Sequence, residues 1–178
     1  MVDIVFEAHG TTYDNEMKLS SGYNDVALSP LGIEQSRQMG ERYKDDFFDA
    51  IFCSDLKRSY KSAEIAFDGR WPIVKDVRLR ECNYGDFTQK PSDIVEKEKP
   101  NHIHVPFPNG ESYDQTIVRM QDFLKDLFEN YFGKRVMIIG HRATQYGLEN
   151  IINGVSLEKL VSTPFKWQPG WKYTLKNV

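Results

Sequence analysis

Apolar positions crowd into three short stretches of the chain, and each gives way at once to polar residues able to do chemistry. Val2, Ile4, Val5 and Phe6 form a β-branched-rich run that reads as a strand buried on both faces, and it ends in His9-Gly10. Asp49-Ala-Ile-Phe-Cys53 reads as a second strand, with Ser54-Asp55 placed as capping residues would be at a helix start. Arg135-Val-Met-Ile-Ile139 is the clearest buried strand, and it runs into Gly140-His141.

Between these strands the apolar period lengthens to that of a helix. Ser29 and Pro30 suit an N-cap and first helical position, and Ile33, Ser36, Gly40 and Tyr43 then share one face. Leu56, Tyr60, Ala63 and Phe67 make the next stripe, which puts Arg58 in the first turn of its helix. The longest helix spans Ser112 to Phe132, with Ile117, Met120, Leu124, Leu127 and Tyr131 inward and Gly133 ending it. A further helix runs from Ala143 to Asn153 and stops at Gly154, and Trp171 to Leu175 supplies a last strand. Trp71 to Val74 adds a short strand that Pro72 confines to an edge. Strands alternating with helices predict an α/β fold built on parallel pairing.

Two segments break the pattern. Thr11 to Val26 is a polar loop too long for a simple turn. Residues 82–109 carry Pro91, Pro100, Pro106 and Pro108 and read as a lid-like excursion with a brief charged helix near Ser92 to Lys99. The excursion includes His102 and His104, whose H-x-H spacing lacks nearby cysteines or carboxylates to complete a metal site. Surface histidines are the better reading, and neither metal nor cofactor is expected.

Composition narrows the class. The 178 residues suit one domain, 1–178. The 23 basic and 26 acidic side chains are interspersed and sum to −3, which argues against a nucleic-acid partner. No apolar run approaches the ~20 residues of a membrane span, and Asp3 and Glu7 interrupt the only early apolar stretch that a signal peptide would need. A cytoplasmic protein is expected, with Cys53 and Cys82 as reduced, buried thiols. Its oligomeric state is left open.

Chemistry gathers where strands end. A histidine at the end of one buried strand is as readily a cap as a reactive group. Successive junctions, however, offer His9, Arg58 and His141 at the carboxyl edge of the sheet, where open α/β sheets bind ligands, and Glu81 opens the excursion. Such a set suits phosphoryl transfer. A neutral imidazole attacks phosphorus, arginine grips phosphate oxygens bidentately, and a carboxyl group protonates the leaving oxygen and then activates water.

At this point the residues resemble a known family, the histidine phosphatase superfamily in its phosphoglycerate mutase-like branch (branch 1). The resemblance runs through His9-Gly10-x-Thr12-x-x-Asn15, Leu28-Ser29-x-x-Gly32-x-x-Gln35 and Ser54-Asp55-Leu56-x-Arg58-x-x-x-Ser62-Ala63. It continues in Leu79-Arg80-Glu81-x-x-x-Gly85, Pro108-x-Gly110-Glu111-Ser112 and Gly140-His141. It implies a three-layer α/β/α sandwich with a mostly parallel central sheet, His9 as the phosphorylated nucleophile, Arg58 and His141 as phosphoryl ligands, Glu81 as proton donor and Asn15 in the pocket wall. Gly10 would let the backbone pass close to the ligand, and Glu111 and Ser112 would border the mouth.

Two positions depart from the family. An arginine normally precedes the nucleophile, and here Ala8 stands there; losing such a donor costs roughly 10²–10³ in rate by analogy with an oxyanion hole. The second histidine is commonly followed by a small residue, and here Arg142 follows it, one cation lost and one gained on neighbouring segments. Arg142 entering the space beside Ala8 and Arg142 paired with a surface carboxylate are both open readings, with Arg80 a weaker substitute. Only 28 residues separate Glu81 from Gly110, short for a mutase that must hold a bisphosphorylated intermediate. The leading expectation is a metal-independent phosphatase acting on a small phosphorylated substrate. A phosphate-binding pseudoenzyme weakened by Ala8 is the alternative, and a phosphoglycerate mutase-type phosphotransferase the third.

Overall fold

A computed structural model describes residues 1–177. In chain order the elements are β1 (Val2–Ala8), α1 (Tyr13–Glu16), α2 (Pro30–Arg42), β2 (Ala50–Cys53), α3 (Lys57–Phe67), β3 (Ile73–Lys75), α4 (Ser92–Glu98), α5 (Tyr113–Asn130), β4 (Arg135–Gly140), α6 (Arg142–Asn153), α7 (Leu157–Ser162) and β5 (Trp171–Leu175). The strands form one sheet in the order β3-β2-β4-β1-β5, parallel throughout except for β5.

Strand alternation divides the apolar residues between two faces. Val5, Ile51, Met137 and Ile139 pack with Met39 of α2, Tyr43 at its end, and Ala63 and Phe67 of α3. Ile4, Phe6, Phe52, Val136 and Ile138 pack with Met120, Phe123, Leu124 and Leu148 of α5 and α6. Helices on both faces of the sheet make the expected α/β/α sandwich. A third apolar cluster, including Tyr84, Val95, Phe107, Tyr113 and Tyr146, lies under the excursion and joins it to α5 and α6.

Several local expectations shift. The loop after β1 contains α1, capped by Thr12, whose hydroxyl accepts from the Asn15 amide while the Asn15 side chain accepts from the Thr12 amide. Asparagine in place of the usual Glu or Gln makes this capping box hard to read. Helix α7 follows a Ser156 cap. Helix α5 ends at Asn130, and Gly133 instead turns the chain with φ +77° while its amide donates to Met1 O. Ser54 does not cap α3; Leu56 occupies that position and the Ser54 hydroxyl is used elsewhere. No helix among the described residues is long and apolar enough to cross a membrane.

The packing of β1 against α2 fixes the segment that follows His9. A Cβ at Gly10 would collide with the Gly32 carbonyl, and one at Gly32 with the Thr11 carbonyl. Both glycines are therefore required by the close approach of backbones.

Candidate active site

Register brings the two histidines together. Ala8 pairs with Gly140 as β1 and β4 end, so His9 and His141 leave adjacent strands side by side. The His9 amide donates to Gly140 O at 3.2 Å, and the two rings lie 5.1 Å apart between centroids. Helix α3 closes over them through buried serines. The Gly10 amide donates to Ser62 Oγ at 2.9 Å, and Ser62 Oγ donates to Arg58 O at 2.7 Å. Ser59 Oγ donates to Ile139 O at 2.7 Å while accepting from the Ser54 amide.

The protonation of both rings follows from their partners. His9 Nδ1 lies 2.7 Å from Gly10 O, an acceptor only, so this nitrogen carries the proton and Nε2 keeps its lone pair. Burial, with the Arg58 charge close by, drives the His9 pKa from 6.5 down to about 3. His141 Nε2 is 2.7 Å from Ser54 Oγ, which also accepts from the Leu56 amide. With that amide on the hydroxyl oxygen, Ser54 can donate its own proton to Nε2, leaving the ring hydrogen on Nδ1. His141 Nδ1 is buried and has no protein partner. Burial and the positive field of Arg58 hold His141 well below the ordinary histidine range.

Arg58 is only 2% exposed. Its guanidinium donates to Asn24 O at 2.9 Å and Gly22 O at 2.7 Å, so the long loop after β1 acts as its holder. That loop is tied to the excursion by the Asp14 carboxylate, which accepts from the Asn24 and Gln89 side chains. Burial lowers the Arg58 pKa, opposed chiefly by the Glu81 charge. The Glu81 carboxylate sits at the start of α6, accepting from the amides of Cys82 (2.8 Å), Ala143 (3.1 Å) and Arg142 (3.2 Å). It faces the helix N-terminus, where backbone donors and the dipole favour negative charge.

One cavity of about 630 Å³ is lined by His9, Arg58, Glu81 and His141 together with Ala8, Gly10 and Asn15. A volume of that size exceeds a lone phosphoryl group and leaves room for the group attached to it. Arg142 also lines it, but its terminal nitrogens bond to the Glu96 carboxylate (3.3 Å) and Thr163 O (2.8 Å).

Glu111 and Ser112 lie outside the cavity wall. The Ser112 hydroxyl caps α5 by accepting from the Gln115 amide. Glu111 pairs with Arg119, whose guanidinium donates in turn to the carbonyls of Arg78, Arg80 and Glu81. Their place is thus behind Glu81. Arg80 is likewise committed, bidentate to Asp55 at 2.7 and 2.6 Å, and does not reach the cavity.

His102 stacks on Phe107 and His104 pairs with Asp114. Among the described residues no group of three or more His, Cys, Asp and Glu is placed to hold a metal ion. Cys53 and Cys82 are free and buried.

Sequence reasoning missed several cavity residues. Lys99, 2% exposed and paired with Glu96, looks in sequence like a solvated charge at the end of a polar helix. Arg42, joined to the buried Glu7, and the aromatic residues Phe165 and Trp167 also line the cavity. Ser54, buried behind His141 rather than in the cavity wall, does carry a signal in the sequence, its place at a strand end just before the Arg58 helix.

Comparison with known proteins shows the family and the fold. The family described as histidine phosphatase superfamily (branch 1) matches residues 4–166. An uncharacterised phosphatase of Bacillus subtilis (strain 168), PhoE, is 32% identical over 155 residues, spanning 86% of this chain and 79% of its own. Phosphoserine phosphatase 1 of Hydrogenobacter thermophilus is 25% identical over 173 residues, 91% and 81% of the two chains. The solved structure of Bacillus stearothermophilus YhfR superposes with a TM-score of 0.83 at 25% identity, covering 95% of this chain and 88% of that one.

Proposed function

Because the chain belongs to the histidine phosphatase superfamily, branch 1, we propose that it is a phosphoric monoester hydrolase that passes the phosphoryl group of a small substrate through His9 to water. The observation that carries this reading is the neutral His9 ring, its Nδ1 proton engaged by Gly10 O and its Nε2 lone pair left for phosphorus, beside Arg58 and His141.

In the first step His9 Nε2 forms a bond to phosphorus as the ester P–O bond breaks. Glu81, which lines the cavity with His9, is the carboxyl group that passes a proton to the departing oxygen. Guanidinium donors of Arg58 and Nδ1–H of His141 bind the phosphoryl oxygens, stabilising the charge that spreads over them. The Gly10 carbonyl accepts from Nδ1–H and steadies the positive ring of the phosphohistidine. In the second step water attacks phosphorus, the P–N bond breaks and the Glu81 carboxylate takes the water proton. Nucleophile, charge stabilisation and proton transfer all come from side chains, so these steps call for no metal.

Phosphatases among the relatives favour water as the final acceptor over a second substrate. Ala8 favours a second reading, a phosphate-binding protein that has lost turnover. Incubation with a ³²P-labelled phosphomonoester followed by rapid quenching separates the two. Label is expected on His9 in the wild type, absent in His9→Asn, and released as inorganic phosphate. Binding of inorganic phosphate without any label on His9 would overturn the hydrolase reading.

A further inference from the structure

We propose that Arg142 supplies, from the first turn of α6, the phosphoryl-binding guanidinium that position 8 lacks, and that Glu96 holds it in waiting. This rests on the reading that the cavity receives a phosphoryl group at His9.

Strand geometry selects this arginine. Side chains alternate along β1, so Ala8 shares the face of Ile4 and Phe6, the face covered by α5 and α6. Arg142 opens α6, follows His141 directly and places its amide 3.2 Å from the Glu81 carboxylate. Arg42 belongs to the opposite face, where it pairs with Glu7. Arg80 is held by Asp55 outside the cavity. Of the arginines that line the cavity with Ala8, Arg142 is the one carried by a helix on the face of Ala8, two residues beyond Gly140, the strand partner of Ala8.

Charge balance allows it to move. Glu96 carries one negative charge and contacts two cations, Arg142 and the buried Lys99. Within this trio one positive charge is therefore in excess. If Arg142 turns toward an arriving phosphoryl dianion, Glu96 keeps Lys99 and its own partial exposure to water, while Thr163 O lies on an exposed residue where water replaces the lost donor. Arg142 Nε is already buried without any hydrogen-bond partner. An unpartnered buried donor is unfavourable, and a ligand oxygen would relieve it.

The test compares wild type, Arg142→Ala, Ala8→Arg and the double variant Ala8→Arg/Arg142→Ala. Each is assayed for kcat/KM on p-nitrophenyl phosphate and for calorimetric binding of inorganic phosphate, with thermal melts to verify folding. Arg142→Ala is expected to lower kcat/KM by roughly 10²–10³, the loss typical of a removed oxyanion donor, and to weaken phosphate binding. Adding Ala8→Arg restores both to within tenfold of wild type, which a merely structural Arg142 would not allow. A folded Arg142→Ala within threefold of wild type, or a loss that Ala8→Arg does not repair, overturns the proposal. If the wild type binds phosphate yet never labels His9, the hydrolase reading falls, and the phosphate titration alone still decides the role of Arg142.

Discussion

Replacing Ser54 with alanine tests whether the tautomer of His141 is imposed by its neighbour. In the folded protein Ser54 Oγ stands 2.7 Å from His141 Nε2 and 3.3 Å from the Leu56 amide, with both side chains buried. The amide fixes one lone pair of the hydroxyl, and the hydroxyl proton is then free for Nε2. Removing the oxygen leaves Nε2 buried with nothing to accept from, a loss of about 1–3 kcal/mol for an unsatisfied group. The ring can recover part of that only by moving its proton from Nδ1 to Nε2 or by tilting, and either change takes Nδ1–H from the phosphoryl oxygen. At 1.36 kcal/mol per decade, the loss corresponds to a fall of roughly 5- to 150-fold in kcat/KM. The assay pairs p-nitrophenyl phosphate kinetics with ¹⁵N chemical shifts of the His141 ring. Ser59→Ala is the comparison, because Ser59 Oγ bonds to Ile139 O and the Ser54 amide without touching the ring, so stability should suffer more than the tautomer. A Ser54→Ala protein with kcat/KM within twofold of wild type and an unchanged His141 tautomer would refute the reasoning.

Two further outcomes follow from the electrostatics. His9 and His141 both have folded-state pKa values below the unfolded 6.5, so below that pH the unfolded chain binds more protons and stability falls as the solution is acidified. Each histidine contributes a slope of up to about 1.4 kcal/mol per pH unit between pH 6.5 and its folded value, about 3 for His9. Glu7, whose pKa burial raises, opposes this trend as the pH falls, so the informative measurement is a difference. Urea midpoints of wild type and His9→Asn at pH 7, 6 and 5 should diverge, and parallel curves would contradict the depressed pKa. Arg119→Met removes the donors that hold the carbonyls of residues 78, 80 and 81 and leaves the mostly buried Glu111 carboxylate without its cation, which destabilises by about 3–5 kcal/mol. Because the damage reaches Glu81, esters of poor leaving groups such as alkyl phosphates should lose more activity than p-nitrophenyl phosphate, and an equal loss on both would argue against a positioning role.

Much of this architecture can be read from the chain because burial on both faces leaves a strong mark. Ile4 to Phe6 and Val136 to Ile139 read as strands because short β-branched runs with no solvent-facing position suit the middle of a sheet, and the Ser29-Pro30 start of α2 follows from cap chemistry alone. The short elements fail for the opposite reason. Helices α1 and α7 have 4 and 6 residues, too few for a period to emerge, and they persist through their caps and their packing. Motif order places Glu111 and Ser112 at the mouth. Ser112 also stands where a cap belongs, at the start of the longest helix, and its hydroxyl makes that cap; Glu111 turns to Arg119, a pairing that no linear pattern reveals.

The site divides along the same physical line. His9, Arg58 and His141 are legible because each follows a buried strand, and the direction of the strand fixes which edge receives it. Lys99 is invisible because a lysine in a charged helix is ordinarily solvated; only the folded excursion buries it against Glu96 and the Tyr146 ring. That burial gives the cavity wall its electrostatic sense. The one arginine that holds the site from beneath, Arg58, is locked by two carbonyl oxygens and cannot travel. The arginine on the wall is held by a carboxylate it shares with a lysine, a weaker arrangement because one negative charge is divided between two positive ones. With alanine at position 8 the cavity thus keeps two differently held guanidinium groups, Arg58 fixed by backbone carbonyls and Arg142 by a shared carboxylate, and only the second could reorient without unmaking the loop after β1.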